Sequence, residues 1–191
     1  MLDEAGVRRI AAESIALKER FFAENAALLV AVGRRMADLM RVGGRVLAFG
    51  NGGSAADAQH LAAELVGRYL RERAALPALA LTTDPSVVTA LGNDLGWEAV
   101  FRRQVEAHGR AGDLAFGITT SGRSANVTAA LRAARERGLV TVALTGRGGG
   151  DLRGAVDHLI DVPHQETPRI QEVHAMVVHV LCEIVEEGLL A

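Results

Sequence analysis

DLAFGITTSGRSANVTAALRAARERG, residues 113–138, combines a short apolar run, a loop of hydroxyls and glycine, and an alanine-rich stretch. DLAFGIT (113–119) has the length and boundaries of a buried strand, and SANVTAALRAARERG repeats its apolar residues at helical spacing. A strand that hands over to a helix through such a loop is the unit of a parallel α/β sheet. The hand-over recurs along the chain. RVLAFG (45–50) leads into the helical NGGSAADAQHLAAELVGRY, and ALPALAL (75–81) into a loop with Asp84 and Pro85, then helical stretches around 86–92 and 97–108. TVALTG (141–146) runs into the glycine-rich RGGGD, and HLIDVP (158–163) precedes a long helix from about Pro168 to Leu190, with proline in its first turn.

These five apolar strands alternating with helices predict a three-layer α/β fold, a five-stranded parallel sheet covered on both faces. Residues 3–41 carry helical spacing throughout and end at Gly43-Gly44. The expected organisation is a single domain over 1–191, with an N-terminal helical segment (1–43) and an α/β core (44–191). The N-terminal helices and the last helix are long for so short a set of strands, which predicts packing against other subunits.

Composition sets the limits. The chain has 191 residues, 49% hydrophobic and 23% charged, with a net charge of −2. This is the balance of an ordinary globular domain, with no field to draw nucleic acid or an anionic membrane surface. A phosphate ligand would therefore need a local site. No apolar run approaches the roughly 20 residues that span a bilayer. The start, MLDEAGVRRIAAES, lacks the apolar centre of a signal peptide, so a cytoplasmic location is expected. The single cysteine, Cys182, lies in a helical pattern and reads as a buried, inert thiol.

In an open α/β sheet, ligands bind beyond the carboxyl ends of the strands. The loops there are NGGS (51–54), TTDPS (82–86), TTSGRS (119–124) and TGRGGGD (145–151). Gly52 and Gly53 allow close backbone approach, and Ser54 can cap the helix that follows. One hydroxyl settles a cap; Thr119, Thr120, Ser121 and Ser124 supply four beside a helix N-terminus, which favours an anion. Gly50 to Ala55 also fits a loose dinucleotide pattern, G-x-G-x-x-A. That reading needs an acid about 20 residues on, at the end of the second strand, whereas Asp84 lies 34 residues after Gly50. A sugar phosphate uses both loops, TTSGRS for the phosphate and NGGS for the sugar hydroxyls.

His60 and Glu64 stand four apart on one helical face, a spacing that suits a metal, an acid–base pair or a plain solvated surface. In the last helix Gln171, Glu172, His174 and His179 interrupt an apolar surface. His179, among Val177, Val178, Val180 and Leu181, is expected to be buried, where a lone histidine is more often a satisfied core residue than a ligand. Eight helical residues separate Gln171 from His179 by about 12 Å. One metal can bind both only if the helix is irregular or the ligands come from different subunits.

The strings FGNGGSAADAQHLAAELVGRY, LGNDLGW, GITTSGRSANV and RIQEVHAMVVHV resemble the bacterial phosphoheptose isomerases of the sugar-isomerase (SIS) superfamily, from about residue 20 to the end. The resemblance implies a flavodoxin-like SIS fold and a cytoplasmic homotetramer with active sites at subunit interfaces. It also implies aldose–ketose isomerisation of sedoheptulose 7-phosphate to D-glycero-D-manno-heptose 7-phosphate, the first step of nucleotide-activated heptose synthesis for lipopolysaccharide or surface-layer sugars. Asn51, Gly52, Gly53 and Ser54 then fall in the substrate loop, Asn93 and Asp94 in the family's Asn-Asp pair, and Thr119, Thr120, Ser121 and Ser124 in the phosphate loop. His60, Glu64, Gln171 and His179 match zinc-binding positions, with Glu64 and His179 as the acid/base pair and Gln171 and Glu64 also facing substrate. Thr119 and Arg123 replace the loop's usual Ser and Asn, and Pro168 stands where an Asp is common. The replication-initiator-associating proteins share the fold and much of NGGS and RIQE. They lack acid/base groups where this sequence has Glu64 and His179.

Overall fold

A computed structural model describes residues 1–190. In chain order the elements are α1 (Glu4–Arg41), β1 (Val46–Gly50), α2 (Gly53–Val66), β2 (Ala78–Ala80), α3 (Pro85–Leu95), α4 (Ala99–His108), β3 (Leu114–Thr119), α5 (Ala125–Glu136), β4 (Val140–Gly146), β5 (His158–Val162) and α6 (Thr167–Leu190). All neighbouring strands pair in parallel, in the order β2-β1-β3-β4-β5. The three-layer α/β architecture expected from the sequence is therefore present.

The alternation of side chains along each strand divides the core. Val46 and Ala48 of β1, with Leu114, Phe116 and Ile118 of β3, join the cluster covered by α1, α2 and α6. Leu47, Phe49 and Ala115 point the other way, to α4 and α5. Every residue of β1 and β3 is buried, as central strands of a doubly covered sheet must be.

The N-terminal segment forms one unbroken helix of 38 residues, started by the Asp3 carboxylate, which accepts from the Gly6 N–H at 2.8 Å. It crosses α6 through small residues: a Cβ on Gly33 would stand 2.6 Å from Ile184 Cγ2, and one on Gly188 3.0 Å from Ala37 Cβ. Val7 and Ile15 leave apolar side chains exposed on its outer face. Among the described residues no helix is long and apolar enough to cross a membrane.

The strand order positions the site. After β1 the chain moves outward to β2, then returns to lay β3 on the other side of β1. The crevice at this switch in direction is where open α/β sheets take ligands. The loops that flank it are those after β1 and after β3, the NGGS and TTSGRS segments.

Candidate active site

Both loops meet over a cavity of about 260 Å³. Asn51, Gly53, Ser54, Thr119, Thr120, Ser121, Ser124 and Gln171 line it, and Thr167 of α6 closes one side. The hydroxyls are not spent on capping. Ser124 holds the N-cap position of α5, yet its hydroxyl lies 2.9 Å from Thr119 Oγ1 and makes no bond to the helix. Ser54 does not cap α2 either; the N-cap is Gly52, at φ 57°, which has no side chain to offer. Two helix N-termini thus open onto one polar cavity, each with the positive end of its dipole. The arrangement suits an anion.

The loops are braced against neighbours. Asn51 and Asn126 exchange two amide hydrogen bonds of 2.9 Å, tying the NGGS loop to the first turn of α5. Gly53 packs against the Gln171 amide, which would have to swing aside to admit a Cβ there. Gly122, at φ +64°, packs its backbone on Gly149 and Gly150, and its carbonyl accepts from the Asp151 N–H at 3.0 Å. The glycines of RGGGD are therefore the buttress of the TTSGRS loop. Sequence reasoning missed Asn126 and Thr167. The one signal for Asn126 was a polar residue in a first helical turn with a bonding side chain.

Arg123 and Arg147 flank the loop beside a hollow of about 270 Å³ shared with Ser121 and Gln165. Arg147 donates to Thr167 Oγ1 at 2.8 Å, so a positive charge reaches the rim of the anion cavity. Gly52 faces a second hollow of about 140 Å³, with Asn51, Thr82 and Trp97. Asn93 and Asp94 are exposed near the end of α3, where Asn93 donates to Asp94 at 2.7 Å. They line none of these hollows, so the single chain does not bring this pair to the TTSGRS loop.

A second cluster sits further along α2. His60 Nε2 lies 3.1 Å from Glu64 Oε1 and 3.2 Å from His179 Nε2. One proton on His60 Nε2 serves only one of these contacts well and leaves the other short of a donor. A cation facing all three atoms would satisfy them together. The two separations are close to the edge of a zinc tetrahedron, about 3.3 Å for bonds of about 2.0 Å. The donor chemistry fits zinc, but within one chain the set is incomplete: among the described residues no group of three or more His, Cys, Asp or Glu side chains is arranged to hold a metal ion. Gln171, the fourth expected ligand, lines the anion cavity instead. Because α6 is a continuous helix from Thr167 to Leu190, an irregular helix does not reunite Gln171 with His179.

The burial expected for His179 falls on His174 instead. His179 is half-buried and faces His60, while His174 is the fully buried one. Burial lowers the His174 pKa to about 4, against a hydrogen bond to the Thr145 carbonyl that favours the charged form. His174 is a neutral core residue. The register of α6 decided this, since both positions lie among valines. Cys182 is buried, and its thiol is pushed up to about 12 by burial and then by the Glu64 and Glu186 charges, in keeping with an inert thiol.

Asp57, one turn before His60 on α2, keeps Oδ2 buried without a hydrogen-bond partner. Burial raises its carboxyl to about 6, with the His60 charge pulling the other way. An unfolded Asp titrates near about 3.9. Between about 4 and about 6 the folded chain therefore holds a proton that the unfolded chain has lost, and stability falls as pH rises through that window. Asp57→Asn should remove this cost. After discounting for solvent screening of a partly exposed group, we expect a gain of about 1 kcal/mol at pH 7 and little at pH 4, measured by urea unfolding. Equal stability of the two proteins at pH 7 would contradict it.

Comparison with known proteins gives one consistent match. Residues 11–146 match the SIS domain family. The chain is 52% identical over 179 residues to the phosphoheptose isomerase of Nitratidesulfovibrio vulgaris, covering 94% of this chain and 86% of that protein. It is 56% identical over 176 residues to that of Roseiflexus sp., covering 92% and 89%. The solved structure of phosphoheptose isomerase from Neisseria gonorrhoeae superposes with a TM-score of 0.90 at 46% identity, over 95% of this chain and 97% of that one. For the enzyme from Francisella tularensis the TM-score is 0.94 at 34% identity, over 98% and 100%.

Proposed function

The chain belongs to the SIS-domain phosphoheptose isomerases, and from that membership we propose an aldose–ketose isomerase that converts sedoheptulose 7-phosphate to D-glycero-D-manno-heptose 7-phosphate. The observation that carries the reading lies on α2, whose open N-terminus faces the hydroxyl cavity while its later turns carry Glu64 and His60 against His179. One helix thus presents an anion cradle at its start and an acid–base set further along, the two serving neighbouring sites of the assembly.

Isomerisation moves a proton between C1 and C2 through an enediolate. Thr119, Thr120, Ser121 and Ser124, with the α5 N-terminus, hold the phosphate, and Asn51, Gly53 and Ser54 face the sugar hydroxyls. Glu64 takes the carbon-bound proton and returns it at the neighbouring carbon. His179 moves protons at the two oxygens. His60 holds both in register through its Nε2 contacts.

Along α2, Ser54 and Glu64 are ten residues, or about 15 Å, apart. That exceeds the extended carbon chain of a heptose. A cradle and a base from one chain therefore do not serve one substrate, and a homotetramer that sets one subunit's cradle beside a neighbour's Glu64 and His179 resolves the mismatch. The exposed apolar side chains of α1 support such assembly. The same arrangement would return a Gln171 to the histidine cluster. His60, Glu64, Gln171 and His179 would hold a zinc ion, which supplies Lewis acidity at the sugar carbonyl. A doubly charged sugar phosphate does not cross membranes unaided, so enzyme and substrate are assigned to the cytoplasm.

The non-catalytic, initiator-associating alternative is disfavoured because Glu64 and His179 both touch His60, a contact set with no purpose in a passive sugar-phosphate binder. Proton NMR with sedoheptulose 7-phosphate in D2O, with and without zinc, tests the proposal. Appearance of the aldose with deuterium at C2 is expected. A folded protein that binds the sugar phosphate yet gives neither product nor exchange would reverse it.

A further inference from the structure

We propose that Tyr69 is a positioning residue for the His179 imidazole, and that the buried Glu186–Arg73 pair exists to hold it there. The inference rests on the isomerase reading for its kinetic consequence, though not for its structural one.

Residues 67–77, between α2 and β2, have no helix or strand of their own. Such a segment has few local bonds to fix it. Here the N–H groups of Tyr69, Leu70 and Arg71 converge on the Glu186 carboxylate at 2.8, 2.9 and 3.0 Å, and Arg73 Nε adds a bond of 3.0 Å. The Arg73 and Glu186 side chains are only 5% and 2% exposed. Arg73 also donates to the Glu64 and Leu65 carbonyls at 2.7 and 2.9 Å, which ties the segment to the last turn of α2. Burial alone would raise the Glu186 pKa; the three backbone donors and Arg73 outweigh it and hold the carboxylate below its usual range.

Glu186 lies seven residues beyond His179, two turns along the same face of α6. A segment gripped at Glu186 is thereby laid over His179. The Tyr69 ring stacks on the imidazole, with centroids 5.6 Å apart and planes at 28°. The imidazole also meets the edge of His60, with centroids 4.8 Å apart and planes at 86°. Stacking restricts rotation of the imidazole. Nε2 stays aimed at His60, and the stacking itself takes up neither ring nitrogen. A hydrogen bond from the segment would have fixed the ring equally well, but would have tied up a nitrogen.

The test compares Tyr69→Phe, which keeps the ring, with Tyr69→Leu, which keeps apolar volume without it. A misplaced group can cost on the order of a hundredfold in rate. The Leu variant should lose about ten- to a hundredfold in kcat with KM within about twofold, and the Phe variant should stay near wild type. In the protein as purified, the His179 ring C–H signals should be displaced by the Tyr69 ring current in wild type and the Phe variant, and lose that displacement in the Leu variant. Wild-type kcat in the Leu variant, a Phe variant as impaired as Leu, or unmoved His179 signals would overturn the inference. An inactive wild type would instead count against the isomerase reading, while the ring-current comparison would still decide the positioning role.

Discussion

Glu64→Gln is expected to abolish isomerisation while leaving the fold and sugar-phosphate binding in place. Glutamine has the same shape and keeps an oxygen for the His60 contact of 3.1 Å, so packing on α2 should not change. It has no basicity to accept the proton from carbon. General-base catalysis contributes about 10²- to 10⁴-fold, and we expect kcat to fall at least about a thousandfold. Deuterium uptake at C2 should vanish with it. Thermal melts and phosphate-ester binding, governed by the core and by the TTSGRS loop rather than by the charge of residue 64, should match wild type. Substantial turnover in this variant would remove Glu64 from the chemistry and leave His179 as the base.

Gly122→Ala should be the most damaging single change to substrate binding. The residue sits at φ +64°, where a side chain is strained, and a Cβ there collides with the Gly149 carbonyl. Neither partner can yield, because both are backbone. The loop must move away from RGGGD, break the bond from the Asp151 N–H, and carry Ser121 and Thr120 out of the cavity. We expect KM to rise by two orders of magnitude or more, roughly 3 kcal/mol of lost binding. The folded core should survive, since Gly122 lies outside both hydrophobic clusters. Titration with an inert sugar-phosphate analogue, alongside circular dichroism, checks both halves. Wild-type affinity in a folded variant would mean that the loop does not hold the phosphate.

Much of the site was legible because short motifs report local geometry. NGGS and TTSGRS each stand where a strand becomes a helix, and eight of the residues picked from them and from α6 line one cavity. What failed did so for definable reasons. His174 and His179 share an apolar context, and only the rotation of α6 against the sheet decides that one faces the Thr145 carbonyl and the other His60. Asn93 and Asp94 came with a motif, yet α3 leaves them exposed within the single chain.

The sequence by itself determined the strands, the helices, the two faces of the sheet and the open loops, because strand alternation, helical spacing and turn chemistry act over a few residues. Tertiary structure alone decided what meets. His60 and His179 touch across 119 residues of chain, and Glu186 reaches the N–H of Tyr69 across 117. Such contacts follow from strand order and helix docking, which a pattern confined to one turn or one strand cannot encode.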